Sequence, residues 1–176
     1  MKSFLILVLT ALFWSAPAAA ADVSDTVILV APIGNGEHVG FIVNRPSKIT
    51  LSQLFPEHAP SKKVLDPVYV GGPVNSESIF ALVQTSQPPG GRSVQLMADL
   101  YAVFEGSLVD RVIESDPGKA RFVAGLVAWR TGELHDEIKR GAWHLLGADA
   151  SLVLRKQTEG MWEELVQRAE IRANGI

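Results

Sequence analysis

Two short apolar runs near the start of the chain constrain the fold more than any other sequence feature. Residues 26–31 and 39–43 are rich in β-branched side chains, and a turn-forming segment, Pro32-Ile33-Gly34-Asn35-Gly36, separates them. This order predicts a strand, a tight turn and a second strand. Because both runs are apolar on both faces, we expect each strand to be buried from two sides, away from a wet sheet edge.

The rest of the chain alternates short strand and helix patterns, without an internal repeat or a low-complexity linker. Strand patterns cover residues 68–70, 79–85, 94–97, 100–104, 122–129 and 151–154, with a glycine-rich turn at 71–74. Helix patterns cover 107–114, a segment from an N-cap at Thr131 to Lys139, and a C-terminal stripe of Met161, Trp162, Leu165, Val166 and Ala169. The sum is an α+β fold in a single compact domain.

The N-terminus has the composition of a secretory signal peptide. Lys2 precedes an uncharged apolar run over residues 4–14, and a proline and a series of alanines follow. We predict a signal at residues 1–20, cleaved after Ala20 or Ala21, and a mature domain at 21–176 in the periplasm of a bacterium. An uncleaved anchor is the alternative, because the uncharged stretch approaches the roughly 20 residues that a spanning helix needs.

The composition of the mature domain excludes several classes of function. The chain has no cysteine, so disulfides, thiol catalysis and lipid attachment through cysteine cannot contribute. Removing Lys2 with the signal leaves 15 of the 16 basic residues against 19 acidic ones, a net charge of −4. Nucleic acid is a poor partner for such a surface, because affinity for phosphates depends on clustered Lys and Arg side chains.

Ionisable residues on the predicted helix near residue 135 are the candidates for catalysis. Glu133 and Glu137 are four residues apart, so both carboxylates can lie on one face, and His135 or His144 could complete an acid–base pair or a metal site. The simpler interpretation is that the acidic residues face the positive end of the helix dipole and solvent. We favour it because acidic residues are common in the first turn of a helix. No paired-histidine motif is present either, and we predict no catalytic residue, no metal and no cofactor.

Asn44 and Arg45, at the end of the second strand, are the candidates for ligand binding. Arginine can clamp a carboxylate or phosphate, and asparagine offers both a donor and an acceptor. A structural role in the turn before Pro46 is the stronger interpretation, with Asn44 bonding the backbone. Trp129 and Trp143, which flank the acidic helix, could line a groove, but packing is the commoner role of such tryptophans.

Three blocks of sequence resemble the signature motifs of the YqgE/AlgH family, in order and in spacing. They are the segment 40–46, the segment 68–74 and a block that starts at residue 129; their motif residues are Gly40, Asn44, Arg45, Pro46, Gly71, Gly72, Pro73, Trp129, Gly132, Leu134, Glu137 and Trp143. The resemblance covers nearly all of the mature chain. It implies a mixed or antiparallel, partly barrel-like sheet flanked by helices, and it brings no established catalytic residues.

The chain also departs from the family pattern. The segment between the first predicted strand and the first block is short, Glu133 and His135 replace the usual Gln and Glu of the third block, and most members carry no export signal. Members are often labelled transcriptional regulators, but a protein exported to the periplasm cannot act directly on DNA. We therefore expect a periplasmic branch of the family.

The function expected from the sequence is that of an exported, non-enzymatic binding or regulatory protein. Its partner would be a protein or a small ligand, its contact with the membrane would be transient, through the signal, and its binding surface would combine Asn44, Arg45, Trp129, Glu133, His135 and Glu137. A hydrolase or metal-assisted enzyme that uses Glu133, His135 and Glu137 is the alternative. Cytoplasmic regulation of transcription is a third possibility, which requires that the signal be misassigned.

Overall fold

The computed structural model describes the backbone of residues 5–9 and the whole of residues 25–173. These residues form ten strands: β1 (Leu5–Leu9), β2 (Val27–Gly34), β3 (Glu37–Ile42), β4 (Pro46–Thr50), β5 (Pro67–Val70), β6 (Val74–Gln84), β7 (Ser93–Met97), β8 (Leu100–Val103), β9 (Ala120–Trp129) and β10 (Trp143–Gly147). Helices α1 (Leu51–Leu54), α2 (Gly106–Ser115), α3 (Glu133–Lys139), α4 (Ala150–Val153) and α5 (Met161–Ala173) flank them. In this part of the chain, no helix is long and apolar enough to cross a membrane.

The ten strands belong to one sheet, in the order β10-β1-β2-β3-β9-β6-β8-β7, and β5 pairs with both β4 and β9. The pairs are antiparallel except for β5 with β9. Strand β7, at one end of this order, approaches β2 near the other end, so the sheet curls into a nearly closed barrel. The predicted α+β fold with a barrel-like sheet is therefore confirmed.

The first predicted strand pair forms the β2–β3 hairpin, with a turn in which Asn35 and Gly36 both have positive φ, 50° and 76°. Two positive φ angles fit the right-handed twist of adjoining strands, which explains the Asn-Gly pair. Residues 27–31 are at most 4% exposed, so the expected two-sided burial of this strand is confirmed. Val27, Leu29 and Ala31 enter the main core, while Ile28 and Val30 pack on the other face with Trp129.

Strand β1 lies inside the sheet, hydrogen-bonded to β2 on one side and to β10 on the other. Its five residues come from the segment predicted as a signal peptide. The predicted cleavage point lies outside the described residues. A segment with the composition of a leader thus occupies an internal strand position of this fold.

The glycine-rich turn predicted at residues 71–74 brings two backbones into direct contact. A β-carbon on Gly71 would lie 2.2 Å from the carbonyl oxygen of Gly125, and one on Gly72 would lie 2.2 Å from the carbonyl carbon of Leu126. Gly125 itself has a φ of +73° and faces the carbonyl oxygen of Gly72 at the same distance. Only glycine permits this crossing, so these motif residues are explained by packing.

Two sequence predictions near the C-terminus are wrong. Residues 151–154, predicted as a strand, lie mostly in helix α4, because the Asp149 side chain accepts the backbone N–H of Ser151 at 2.7 Å and caps that helix. The strand is instead β10, which owes its position to pairing with the distant β1. Thr131 is not the N-cap of α3; Gly132 takes that position with a φ of +89°, and Thr131 donates to the carbonyl of Asn35.

Candidate functional site

Two tryptophans and one glutamate join β9, α3 and β10. Trp129 Nε1 donates to Glu137 Oε2 at 3.0 Å, and Trp143 Nε1 donates to the same oxygen at 2.8 Å. The two indole rings meet edge to face, with centroids 6.4 Å apart and planes at 78°. Trp129 is 6% exposed and packs with Leu134, another motif residue. The tryptophans are therefore packing anchors, as the sequence favoured.

The carboxylate of Glu137 acts as a structural bridge in this arrangement. A charged acceptor makes stronger hydrogen bonds than a neutral one, and here a single oxygen satisfies two indole donors from different strands. Removing it would leave two half-buried N–H groups without their acceptor. Glu137 is thus committed to holding α3 against the sheet.

Glu133 and His135, which with Glu137 form the cluster of the alternative, enzymatic interpretation, do not join Glu137 in a site. Glu133 Oε2 accepts the backbone N–H of Arg130 at 2.8 Å, which closes the turn before α3. His135 is exposed on the same helix. Among residues 25–173, no three His, Asp or Glu side chains lie close enough together to hold a metal ion.

Asn44 has the backbone-bonding role that the sequence favoured. Its Oδ1 accepts Val27 N at 2.9 Å, and its Nδ2 donates to Asp25 O at 2.8 Å. The amide side chain therefore extends the β2–β3 ladder at the start of β2. Arg45 follows it, half-buried, and its carbonyl accepts Val70 N at 2.9 Å.

The structure does not bring the predicted binding residues into one surface. Trp129 pairs with His38 near the N-terminal end of β3. Asn44 lies beyond the C-terminal end of this strand, six residues after His38. At about 3.3 Å per residue, that separation is about 20 Å. Asn44 and Arg45 therefore lie apart from Trp129, Glu133, His135 and Glu137.

Two histidines outside the predicted sites, His38 and His58, are partly buried. His38 lies in β3, and its Nδ1 is buried without a hydrogen-bond partner among the described residues. His58 Nδ1 is 2.7 Å from Ser61 Oγ, and its Nε2 is 3.7 Å from Glu114. Pairing with β9, a strand about 90 residues away in sequence, carries His38 into the sheet, a contact invisible in local composition.

Arg121 is a buried charge that the sequence analysis missed. It is 4% exposed, and its guanidinium donates to the carbonyls of Val43 and Arg155 and lies 4.0 Å from the ring centroid of Tyr69. Burial lowers the pKa of Arg121, because removal from water disfavours the charged form. Its apolar strand neighbours gave no signal of this role. Arg121 ties the end of β3 to the loop before α5.

A cavity of about 650 Å³ opens beside β10, between α4 and α5. Its charged lining consists of three arginines and two carboxylates, so it has one net positive charge; these residues are Arg155, Arg168, Arg172, Asp149 and Glu164. Leu146, Gly147 and Leu165 line its apolar side. We call this the arginine cavity.

The ion pairs of the arginine cavity centre on one carboxylate. Arg155 Nη1 lies 2.5 Å from Glu164 Oε2, and Arg168 Nη2 lies 2.5 Å from Glu164 Oε1. The hydrogen bond from Arg155, aided by both positive charges, lowers the pKa of the Glu164 carboxyl. Arg168 is 60% exposed, so it can also reach a ligand in the opening. The sequence signal that could have indicated this cluster is the i, i+4 spacing of residues 164, 168 and 172, which places them on one face of a helix.

Comparison with known proteins identifies the family of the chain. A family model described as AlgH-like matches residues 15–174. The chain is similar to a UPF0301 protein of Anaeromyxobacter dehalogenans, with 30% identity over 173 residues that cover 92% of this chain and 88% of that protein. It is 32% identical over 152 residues to a UPF0301 protein of Mycolicibacterium smegmatis, covering 81% of this chain and 73% of that protein.

Two solved structures share the fold. The solution structure of the AlgH protein from Pseudomonas aeruginosa superposes with a TM-score of 0.73 at 20% identity, over 95% of this chain and 87% of that one. A crystal structure of a protein from Corynebacterium diphtheriae superposes with a TM-score of 0.70 at 23% identity, over 96% and 87%. With a family model that spans almost the whole sequence, the chain belongs to the AlgH-like family.

Proposed function

We propose that this member of the AlgH-like family is an exported, non-enzymatic binding protein that holds an anionic group in the arginine cavity. The observation that carries the proposal is the cavity itself. Its volume of about 650 Å³ falls within the range of roughly 300–1,000 Å³ typical of small-molecule sites. It also combines an apolar wall with a few charged groups, as such sites do.

The charges of the cavity favour a carboxylate or a phosphate. Arginine offers a planar set of donors that matches both groups in a bidentate manner. Glu164 already pairs with Arg155 and Arg168, which aligns the two guanidinium groups before a ligand arrives. Arg172 lines the same cavity one helical turn beyond Arg168 and adds the charge that leaves it net positive.

A binding role is consistent with the hydrogen bonds that already engage the other candidate residues. Glu133 and Glu137, the two carboxylates proposed for acid–base chemistry, each accept hydrogen bonds that hold the backbone or packing in place. A general base must lie within hydrogen-bond reach of a substrate proton, and both groups are already engaged. The arrangement supports recognition more than turnover.

Export is proposed from the sequence of residues 1–20, with its single basic residue, apolar run and small residues at the cleavage point. The net charge of −4 after cleavage fits a protein that does not act on nucleic acid.

Thermal unfolding with simple anions tests the binding site. Inorganic phosphate and citrate, each at 10 mM with chloride as the ionic-strength control, should raise Tm by about 3 to 6 °C if Kd is about 1 mM. The double variant R168A/R172A should lose most of this shift. The control variant K62A/K63A, which removes two exposed positive charges elsewhere, should keep it. Equal shifts in the two variants, or none with either anion, would contradict the proposal.

A further inference from the structure

We propose that the position of β1 between β2 and β10 is an acceptor site for an extended strand of a partner protein, vacated when the leader is cleaved. The proposal rests on the export and cleavage proposed above. The partner would supply an apolar segment of about five residues, preceded by acidic residues. We call this position the strand slot, bounded by residues 27–30 and 143–147.

The pairing of β1 defines the geometry of the slot. Leu5 lies opposite both Val30 and Gly147, and Val8 lies opposite Val27 and His144. Because β1 is antiparallel to both neighbours, β2 and β10 run parallel to each other. Without β1 their facing edges would be two strand spacings apart, roughly 9.5 Å, which is too far for direct hydrogen bonds. The gap has the width of one strand.

An empty slot would be unfavourable because it leaves backbone groups without hydrogen-bond partners. Both edges would present rows of unpaired N–H and C=O groups, which template the pairing of another strand. Such addition of a peptide strand is an established mode of recognition, in which main-chain hydrogen bonds supply the affinity.

The side chains that border the slot determine what can enter it. Leu29 and Leu146 belong to the same core cluster and lie on either side of one register position. The next position lies between Ile28, 2% exposed, and Leu145, 41% exposed. An entering strand is therefore flanked by apolar side chains on both faces. Its own residues must be apolar at consecutive positions, as the sequence Leu-Ile-Leu-Val-Leu at 5–9 is.

The direction of the slot specifies the charge of the partner. A strand antiparallel to β10 has its N-terminal end beside Gly147, and Gly147 also lines the arginine cavity. Residues that precede the strand would therefore lie next to the net positive charge of this cavity. The leader itself has Lys2 before its apolar run and no acidic residue in 1–20. A partner with acidic residues at this place is better matched, since complementary charge favours association.

Strand exchange in the full chain tests the proposal. A specific protease site is placed between residues 10 and 24, the purified protein is cut, and a fluorescein-labelled peptide is added in which three acidic residues precede Leu-Ile-Leu-Val-Leu. We expect saturable binding with release of the N-terminal fragment, detected by mass spectrometry. A peptide with proline at the central position should bind at least 10-fold more weakly, because proline removes a ladder donor. A peptide with three lysines in place of the acids should also bind at least 10-fold more weakly at low salt.

Each contrary outcome overturns a stated part of the proposal. Retention of the fragment without exchange, or equal binding of the proline peptide, would show that the slot accepts no partner strand. Equal binding of the acidic and lysine peptides would overturn the assigned charge. Dimerisation of the cut chain without peptide would assign the slot to a second copy. Sequencing the N-terminus of the native protein separates these failures from a failure of export or of cleavage, either of which would leave Met1 in place.

Discussion

Gly40 lies directly against the indole ring of Trp129. A β-carbon on Gly40 would come within 2.7 Å of Cζ3 and 2.9 Å of Cη2 of this ring, and also within 2.7 Å of a methyl group of Ile28. The indole ring of Trp129, in the third motif block, therefore leaves room only for a glycine at position 40, in the first block. The two motifs, about 90 residues apart, form one packing unit.

Replacing Gly40 with alanine should lower the free energy of unfolding by about 1–3 kcal/mol, because the buried ring and Ile28 must move. Urea denaturation followed by circular dichroism measures the change. Gly106→Ala is the matched control, since a β-carbon there meets no atom within 4 Å, and it should be neutral or slightly stabilising. Equal losses in the two variants would contradict the packing argument.

Glu137→Ala should destabilise the protein by about 1–3 kcal/mol, because two half-buried indole N–H groups lose their acceptor. Glu137→Gln retains a carbonyl oxygen and should recover part of this loss. Urea denaturation gives the stability, and tryptophan fluorescence reports the environment of the two rings directly. Glu170→Ala, an exposed carboxylate on α5, is the control. An unchanged emission spectrum in Glu137→Ala would show that the bridge is absent in solution.

Arg121→Lys should destabilise the protein even though it conserves the charge. Lysine cannot reproduce the forked guanidinium that donates to the carbonyls of both Val43 and Arg155. An ammonium group is also more strongly hydrated than a guanidinium, so it loses more hydration when it is buried on folding. We expect a loss of about 1–3 kcal/mol, the usual cost of buried unsatisfied groups. The exposed Arg111→Lys is the control. Similar unfolding curves for these two variants would contradict a structural role for Arg121.

The ion pairs of Glu164 predict a dependence of stability on pH. Its pKa is lower in the folded state than its ordinary value of 4.5, so this carboxylate stabilises the fold above that value. The contribution should be lost as the pH falls through the folded pKa. The wild-type protein should therefore exceed Glu164→Gln in stability at pH 7, and the difference should disappear at acidic pH. High salt should also reduce it, because the pair is partly exposed. A difference that persists in acid would rule out the ionised carboxylate as its source.

Local pattern was sufficient where neighbouring residues decide the structure. The Asn35-Gly36 turn, the doubly buried β2 and the backbone role of Asn44 could each be predicted from composition at one place in the chain. Hydrophobic alternation and turn-forming residues act over a few positions, so they can be recognised in the sequence.

The rest depended on contacts between distant segments. Strand β10 was missed because its partner β1 lies almost 140 residues away, within a segment of leader-like composition. Arg121 was missed because it is one charged residue in an apolar strand, and its acceptors are carbonyls on two other segments. The arginine cavity joins residues 146–155 to residues 164–172 and exists only once α4 and α5 pack beside β10.

Cell fractionation with N-terminal sequencing of the purified protein tests the central claim, export with removal of the leader, most directly. We predict protein in the periplasmic fraction that begins at Ala21 or Asp22, without residues 5–9. A cytoplasmic protein that retains Met1 would contradict it and would make β1 a permanent strand of the sheet.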